Sequence, residues 1–126
     1  MRGFISLLIC LNTAFGIAQK AVFYCPKKTV KFPRTVEGRV IEWSYTIQNK
    51  GDQPLIIEEC NVECSCTEVD YPHEPILPGK TQQIRVKFNT KGRPFYQDRI
   101  IQFITNTPRK KENLRFKVYV IPTEDG

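Results

Sequence analysis

The stretch Ile41-Glu42-Trp43-Ser44-Tyr45-Thr46-Ile47-Gln48 decides the fold class, because apolar and polar side chains alternate along it. A period of two places successive side chains on opposite faces of a β-strand, so the stretch predicts a strand with one buried and one solvated face. The residues that follow, Asn49-Lys50-Gly51-Asp52, favour a turn. The sequence therefore predicts a half-buried strand that ends at this turn.

The same alternation recurs on the C-terminal side of this strand. Further strands are predicted at residues 55–57, 84–88, 101–103 and 114–120, with turn residues at 78–79, 89–92 and 106–108. The nine prolines leave no uninterrupted helical period. These features predict an all-β domain over residues 19–126, an immunoglobulin-like β-sandwich of about seven antiparallel strands, with a closed barrel as the alternative. The predicted core is formed by the apolar sides of the strands: Trp43, Tyr45, Ile47, Val86, Phe88, Phe103, Phe116 and Val118.

Length and composition exclude several classes of protein. A chain of 126 residues with 40% hydrophobic residues fits one ordinary domain with a core. A single histidine argues against most histidine-based catalysis and against a multi-histidine metal centre. There is no G-x-S-x-G nucleophile elbow and no glycine-rich phosphate loop. The sequence therefore predicts a protein that is not an enzyme, and it indicates no cofactor.

Residues 1–18 have the pattern of an export signal. Met1-Arg2-Gly3 is a short basic start, Phe4 to Ala18 is largely apolar, and small residues at 16–18 offer a cleavage point before Gln19. The run falls short of the roughly 20 apolar residues of a membrane span, so no transmembrane span is predicted. The alternatives are a buried N-terminal strand or helix, or a lipoprotein anchored at Cys10. Export predicts a periplasmic, surface-exposed or secreted protein.

Removal of Cys10 with the signal would leave four cysteines, Cys25, Cys60, Cys64 and Cys66, in an oxidising compartment. Three pairings are possible. In an extended strand the Cα atoms of Cys64 and Cys66 would lie roughly 6.6 Å apart, near the upper limit for a relaxed disulfide. A longer-range bridge that joins Cys25 and Cys60 is therefore expected.

The Cys64-Ser65-Cys66 motif is the candidate for metal or thiol chemistry. Side chains two apart on a strand share a face, so two thiolates there could chelate Cu(I) or Zn, with His73 as a possible further ligand. The alternative is that these thiols pack inside the protein or pair as disulfides. For His73, which lies between Pro72 and Pro75, the alternative is a solvated loop residue.

An excess of basic residues favours an anionic partner. The chain has 19 Lys and Arg against 13 Asp and Glu, a net charge of +6. Export makes an acidic glycan, lipopolysaccharide or an acidic protein a better partner than nucleic acid. The alternative is ordinary solvation of strand faces. Three groups carry the charge: Lys27-Lys28-Lys31-Arg34, Lys87-Lys91-Arg93-Arg99, and Arg109-Lys110-Lys111-Arg115-Lys117.

The order of several segments between about Val30 and Val120 resembles the DUF1573 family. The segments are residues 45–57, Cys64-Ser65-Cys66-Thr67, residues 75–80 and residues 86–92. The resemblance implies an exported bacterial domain, common in Bacteroidetes, with an immunoglobulin-like fold akin to the ASH and major-sperm-protein sandwiches and with no established activity. Together these inferences predict a non-enzymatic binding or scaffold module with a protein, acidic glycan or cell-envelope partner. The alternative is a metal-handling (Cu or Zn) or thiol module at Cys64-Ser65-Cys66.

Overall fold

The computed structural model describes Gly3 and residues 19–124. The predicted signal peptide therefore lies, apart from Gly3, outside the described residues. Within them the chain forms nine β-strands: β1 Phe23–Tyr24, β2 Thr29–Lys31, β3 Thr35–Val36, β4 Val40–Asn49, β5 Ile57–Val62, β6 Thr67–Asp70, β7 Thr81–Asn89, β8 Phe95–Thr105 and β9 Lys111–Ile121. The predicted strands 41–48, 84–88, 101–103 and 114–120 lie within β4, β7, β8 and β9. The predicted strand 55–57 is displaced: Leu55 forms an isolated bridge with Ile76, and β5 begins at Ile57.

The strands form two sheets packed as a sandwich. Sheet one has the order β1-β4-β7-β6, and sheet two has the order β2-β9-β8-β5, with β3 also paired to β9. The prediction of an all-β sandwich is confirmed, and the barrel alternative is not adopted.

Two details differ from the prediction. The short strands β1 to β3 raise the strand number, and β2 and β3 run parallel to β9. The N-terminal segment crosses from sheet one to sheet two after the turn at Pro26, so no single strand there is long enough to show a period.

The core lies between the sheets, where alternate residues of each strand meet. Seven of the eight predicted core residues are buried: Tyr45, Ile47, Val86, Phe88, Phe103, Phe116 and Val118. The eighth, Trp43, is only partly buried. Strand β1 pairs only with Gln48 and Asn49, at the end of β4. At Trp43, therefore, β4 has no neighbouring strand on that side and forms the edge of the sheet. Phe32, in the β2–β3 connection, packs edge-on against the indole with ring centroids 4.7 Å apart.

The predicted turn after β4 is present and is built around Asn49. This side chain is fully buried, and its Nδ2 donates hydrogen bonds to the carbonyl oxygens of Gln53 and Ile76. Its Oδ1 accepts hydrogen bonds from the backbone N–H groups of Val22 and Gly51. Gly51 is required by close approach, since a Cβ at this position would lie 2.1 Å from the carbonyl oxygen of Lys20.

Candidate functional site

The solvent-facing side of sheet two carries a surface that we call the basic patch: Lys31, Arg34, Tyr96, Arg115, Lys117 and Tyr119. On β9, Leu114, Phe116 and Val118 are buried, so the alternation turns Arg115, Lys117 and Tyr119 outward. The parallel pairing of β2 with β9 places Lys31 beside Lys117. The antiparallel pairing of β8 with β9 places Tyr96 opposite Tyr119. Strand pairing thus joins residues that are far apart in sequence on one surface.

Charge on the basic patch is only partly neutralised. The Arg115 guanidinium donates from Nε and Nη2 to the two carboxylate oxygens of Asp98, each at 2.6 Å. These hydrogen bonds lower the pKa of Asp98 and raise the pKa of Arg115. Within residues 19–124, Lys31, Arg34 and Lys117 have no carboxylate within ion-pair distance. The patch therefore has four cationic side chains around one carboxylate, that of Asp98, which also lies opposite Lys117. The Glu63 carboxylate acts on Arg115 from the β5 side of the sheet.

The guanidinium of Arg34 lies over the ring of Tyr119, with 4.9 Å between its central carbon and the ring centroid. Such a cation–π contact orients the cation along the ring face. The β9 backbone beneath the patch is fixed by a residue of sheet one: the Tyr45 hydroxyl donates a 2.6 Å hydrogen bond to the carbonyl oxygen of Arg115. Burial raises the pKa of Tyr45 to about 12, so the phenol stays protonated and keeps donating at neutral pH.

The solvent-facing side of sheet one differs, because its two strand cations, Lys87 and Arg85, lie opposite three carboxylates in the register. Lys87 forms a 3.7 Å ion pair with Glu42 and lies opposite Glu68 in the register. Arg85 lies opposite Asp70. If the basic excess reflected solvation alone, the two faces should resemble each other. The difference between them favours a role for the basic patch.

Sheet two is itself polarised from edge to edge. Three acidic residues lie at the β5 edge, where Glu58 and Glu59 are exposed on the strand and Glu63 follows it, while Asp98 lies on β8 beside the patch. The β2 edge at the other end of the sheet carries Lys31. The basic patch is therefore a local surface rather than a property of the whole sheet.

Cys64 and Cys66 form a disulfide, and Cys25 and Cys60 are free thiols. The expected Cys25–Cys60 bridge is therefore wrong. The expectation assumed an extended strand, but residues 63–66 form the turn between β5 and β6, closed by a hydrogen bond from the Thr67 N–H to the Cys64 carbonyl oxygen. The turn brings the two Cα atoms to 5.1 Å, within the ordinary range for a disulfide.

Comparison with known proteins assigns the chain to a family. Residues 23–120 match the family described as "protein of unknown function (DUF1573)". The chain belongs to the DUF1573 family. In a sequence comparison, no curated protein matches this DUF1573 chain.

Solved structures share the fold of this DUF1573 domain. A protein of unknown function from Porphyromonas gingivalis W83 has a TM-score of 0.70 at 18% identity over 84% of this chain. The chain spans 50% of the length of that protein. An ASH/PapD-like domain of human CEP192 has a TM-score of 0.56 at 14% identity, covering 84% of this chain and 87% of that domain. The C. elegans protein WR4, of the MSP family, has a TM-score of 0.51 at 9% identity, covering 81% of this chain and 98% of that one.

The two free cysteines of the DUF1573 domain are poor nucleophiles. Cys25 is buried after β1, and its Sγ contacts the Lys27 carbonyl oxygen at 3.4 Å. Burial raises the pKa of Cys25, and it raises the pKa of Cys60 from 9.0 to about 11. Both groups are therefore thiols rather than thiolates at neutral pH, and thiols are unreactive.

His73, the third predicted metal ligand, is exposed in the loop between β6 and β7 and packs against Tyr71, with ring centroids 4.7 Å apart. Within the described part of the chain, no three His, Cys, Asp or Glu side chains converge in a metal-ligating group. Cys64 and Cys66 are joined in a disulfide and supply no thiolates, so the metal site predicted at Cys64, Cys66 and His73 would require this bond to be reduced. Over the same residues, no helix of the length and apolarity of a membrane span is found.

The three predicted basic groups separate in the fold. Lys31 and Arg34 of the first group join Arg115 and Lys117 of the third in the basic patch. Lys87 of the second group lies on sheet one, while Arg99 donates hydrogen bonds to the side-chain oxygen of Gln97. A groove of about 540 Å³ beside the disulfide is lined by Lys87, Lys91 and Arg93, but Glu42 and Glu68 also line it, and Glu42 is paired with Lys87. Its mixed charge gives it no preference for an anion.

Sequence reasoning missed the two tyrosines of the basic patch. A signal was present for Tyr119, since it occupies a polar-face position of the 114–120 alternation together with Arg115 and Lys117. An aromatic ring at such a position is exposed by the same alternation that exposes the lysine. Tyr96 carried no comparable signal, because its position opposite Tyr119 depends on the β8–β9 register.

Proposed function

We propose that this chain is an exported, non-enzymatic binding module that holds an anionic partner of the cell envelope through the basic patch. The observation that carries the proposal is the contrast between the two solvent-facing sides of the sandwich. On sheet one, Lys87 lies opposite Glu42 and Glu68 in the register, and Arg85 lies opposite Asp70. On sheet two, Lys31 and Arg34 have no carboxylate within ion-pair distance among residues 19–124. Lys117 lies opposite Asp98, which Arg115 already engages through both oxygens. Such unpaired charge raises the local concentration of anions and speeds their association.

Export is supported by the signal-like pattern of residues 1–18 and by the Cys64–Cys66 disulfide. The free thiols of Cys25 and Cys60 are compatible with an oxidising compartment, because burial keeps them protonated. The periplasm, the cell surface and the medium would each satisfy this chemistry.

Binding rather than catalysis is supported by the composition of the basic patch. It combines guanidinium, ammonium and phenol groups on rigid strands, which suits recognition of charge and of flat surfaces. The single carboxylate of the patch, Asp98, is engaged by Arg115 through both oxygens. It is therefore poorly placed to act as a general base.

The proposal is tested by reversing charge on either face of the sandwich. Binding of the purified chain to immobilised poly-L-glutamate is measured at low and at physiological ionic strength. The Lys31→Glu/Lys117→Glu variant should lose binding, whereas the control variant Arg85→Glu/Lys91→Glu, with the same net charge, should retain it. Salt should weaken the wild-type interaction, because exposed charges are screened beyond about 8 Å at physiological ionic strength. Equal losses in both variants would show that net charge alone governs binding and would overturn the role of the patch.

A further inference from the structure

We propose that the anionic partner is an acidic polysaccharide, a chain of sugar rings that bear carboxylates, which lies across the Tyr96–Tyr119 pair. This inference rests on the proposed function and assigns its ligand class. The supporting observation is the pair of outward-facing tyrosine rings within the basic patch, because binding of an anion by charge alone would not need aromatic rings there.

The two tyrosines lie side by side on neighbouring strands, and we call the surface they form the platform. Tyr96 and Tyr119 are direct partners in the antiparallel β8–β9 register. The Cβ atoms of such partners lie about 5 Å apart, so the two side chains emerge side by side. Tyr96 is 59% exposed, and Tyr119 is partly exposed beneath the Arg34 guanidinium. The exposed ring of Tyr96 is available to stack on a ligand, and Tyr119 presents its ring edge together with the Arg34 guanidinium that covers it.

The cations border this platform in a regular array. Arg115, Lys117 and Tyr119 share one face of β9, and residues two apart on a strand are separated by about 7 Å. Lys31 extends the array sideways through its pairing with Lys117. A ligand that crosses the tyrosines would therefore meet positive charge beside the rings on the β9 and β2 side.

A carboxylated polysaccharide matches both parts of the surface. The axial C–H bonds of a pyranose ring give it an apolar face that stacks on an aromatic ring, while its hydroxyl groups can bond the tyrosine O–H at the edge. Its carboxylates can accept hydrogen bonds from Lys and from the fork of Arg. An acidic peptide supplies the carboxylates on flexible side chains but lacks flat saturated rings, so it would leave the tyrosines largely unused.

Three polymers separate charge from ring stacking: polygalacturonate, poly-L-glutamate and neutral dextran. The purified full chain should bind polygalacturonate more tightly than poly-L-glutamate when the two are compared per carboxylate, and it should not bind dextran. Tyr96→Val and Tyr119→Val should each weaken polygalacturonate binding about fivefold or more, the size expected for a lost aromatic contact. Neither variant should change poly-L-glutamate binding by a comparable factor.

Tyr24→Val is the matched control. Tyr24 is also partly exposed and also carries a cation over its ring, with the Lys50 Nζ 3.5 Å from the centroid, but it lies in β1 of sheet one. This variant should bind both polymers as the wild type does. Circular dichroism and the melting temperature of each variant verify that it is folded.

The outcomes distinguish this inference from the proposed function. Equal binding of the two polyanions, unchanged in Tyr96→Val and Tyr119→Val, would overturn the polysaccharide assignment and leave an anion-binding patch in place. Equal losses in Tyr24→Val and Tyr119→Val would also overturn it, because the platform would then have no special role. Absence of binding to either polyanion at low ionic strength would overturn both proposals.

Discussion

Asn49 and Trp43 lie on the same strand, and each has a buried polar group. The group of Asn49 is fully hydrogen-bonded, whereas the N–H of Trp43 has no partner among the described residues. The Asn49 side chain uses both of its amide atoms to join the N-terminal segment, the turn after β4 and the β6–β7 loop. The indole Nε1 of Trp43 is buried without a hydrogen-bond partner among the described residues. Because an unpaired buried donor costs about 1–3 kcal/mol, these two residues should respond differently to substitution.

Asn49→Ala should destabilise the fold by about 3 kcal/mol or more, because four backbone groups lose their partner at once. Asn89→Ala is the control, since Asn89 is exposed and its side chain accepts one hydrogen bond, from the Lys91 N–H. That variant should lose less than about 1 kcal/mol. Urea unfolding measures both values, and similar costs for the two variants would contradict the role assigned to Asn49.

Trp43→Ala should cost about 2–4 kcal/mol, somewhat less than a fully buried tryptophan, because the indole packs against Phe32 and Phe116 but remains partly exposed. Trp43→Phe should cost less than about 1 kcal/mol, because it keeps a ring in place and removes the unpaired N–H. Circular dichroism during urea unfolding gives both free energies. Equal costs would show that the N–H group is not a burden on the native state.

At the scale of elements, the turn between β5 and β6 decides how the cysteines behave. The turn carries the chain from sheet two to sheet one, and the disulfide lies within it. A bridge between residues two apart closes a very small loop. It therefore stiffens the turn but does not staple the two sheets together.

In a chain of residues 19–126, which lacks Cys10, peptide mapping without reductant should find Cys64 and Cys66 linked within one peptide, and two free thiols should react once the chain is unfolded. The Cys64→Ser/Cys66→Ser variant should show the same two thiols and lose less than about 2 kcal/mol of stability, because the chain-entropy gain from so short a loop is small. A peptide that links Cys25 to Cys60 would contradict the structure.

The packing of β5 predicts a loss of stability at alkaline pH. Burial raises the pKa of Cys60 from 9.0 to about 11, so between these values the unfolded chain releases the thiol proton and the folded chain keeps it. Stability contributed by this difference is present below pH 9 and is lost as the pH rises towards about 11. The melting temperature should therefore fall less steeply over this range in Cys60→Val than in the wild type. Ile101→Val, a core change without a titratable group, should keep the wild-type slope.

At the scale of the whole molecule, the nine strands described for residues 19–124 pair with one another in two sheets. A chain of residues 19–126 should therefore fold without the first eighteen residues and melt within about 2 °C of protein recovered from the exporting compartment. N-terminal sequencing of the recovered protein should begin near Gln19. Recovery of a chain that begins at Met1 would contradict the predicted processing.

The sequence by itself determined the architecture and most of the core of this protein. The alternation in residues 41–48, 84–88 and 114–120 is set by the two-residue period of a strand, and a strand with one apolar side has to bury it. The resemblance to DUF1573 was likewise visible in the order of the segments and is confirmed over residues 23–120. These properties are local, so a single segment is enough to show them.

The tertiary structure alone decided the features that depend on what lies beside each strand. Trp43 is only partly buried because β1 is too short to cover it, and Cys64 pairs with Cys66 because the chain turns there instead of extending. The basic patch exists because β2 and β8 flank β9 in a particular register. Strand pairing joins residues that are tens of positions apart, and no local pattern records that choice. For this reason the charges were visible in the sequence but the surface they form was not.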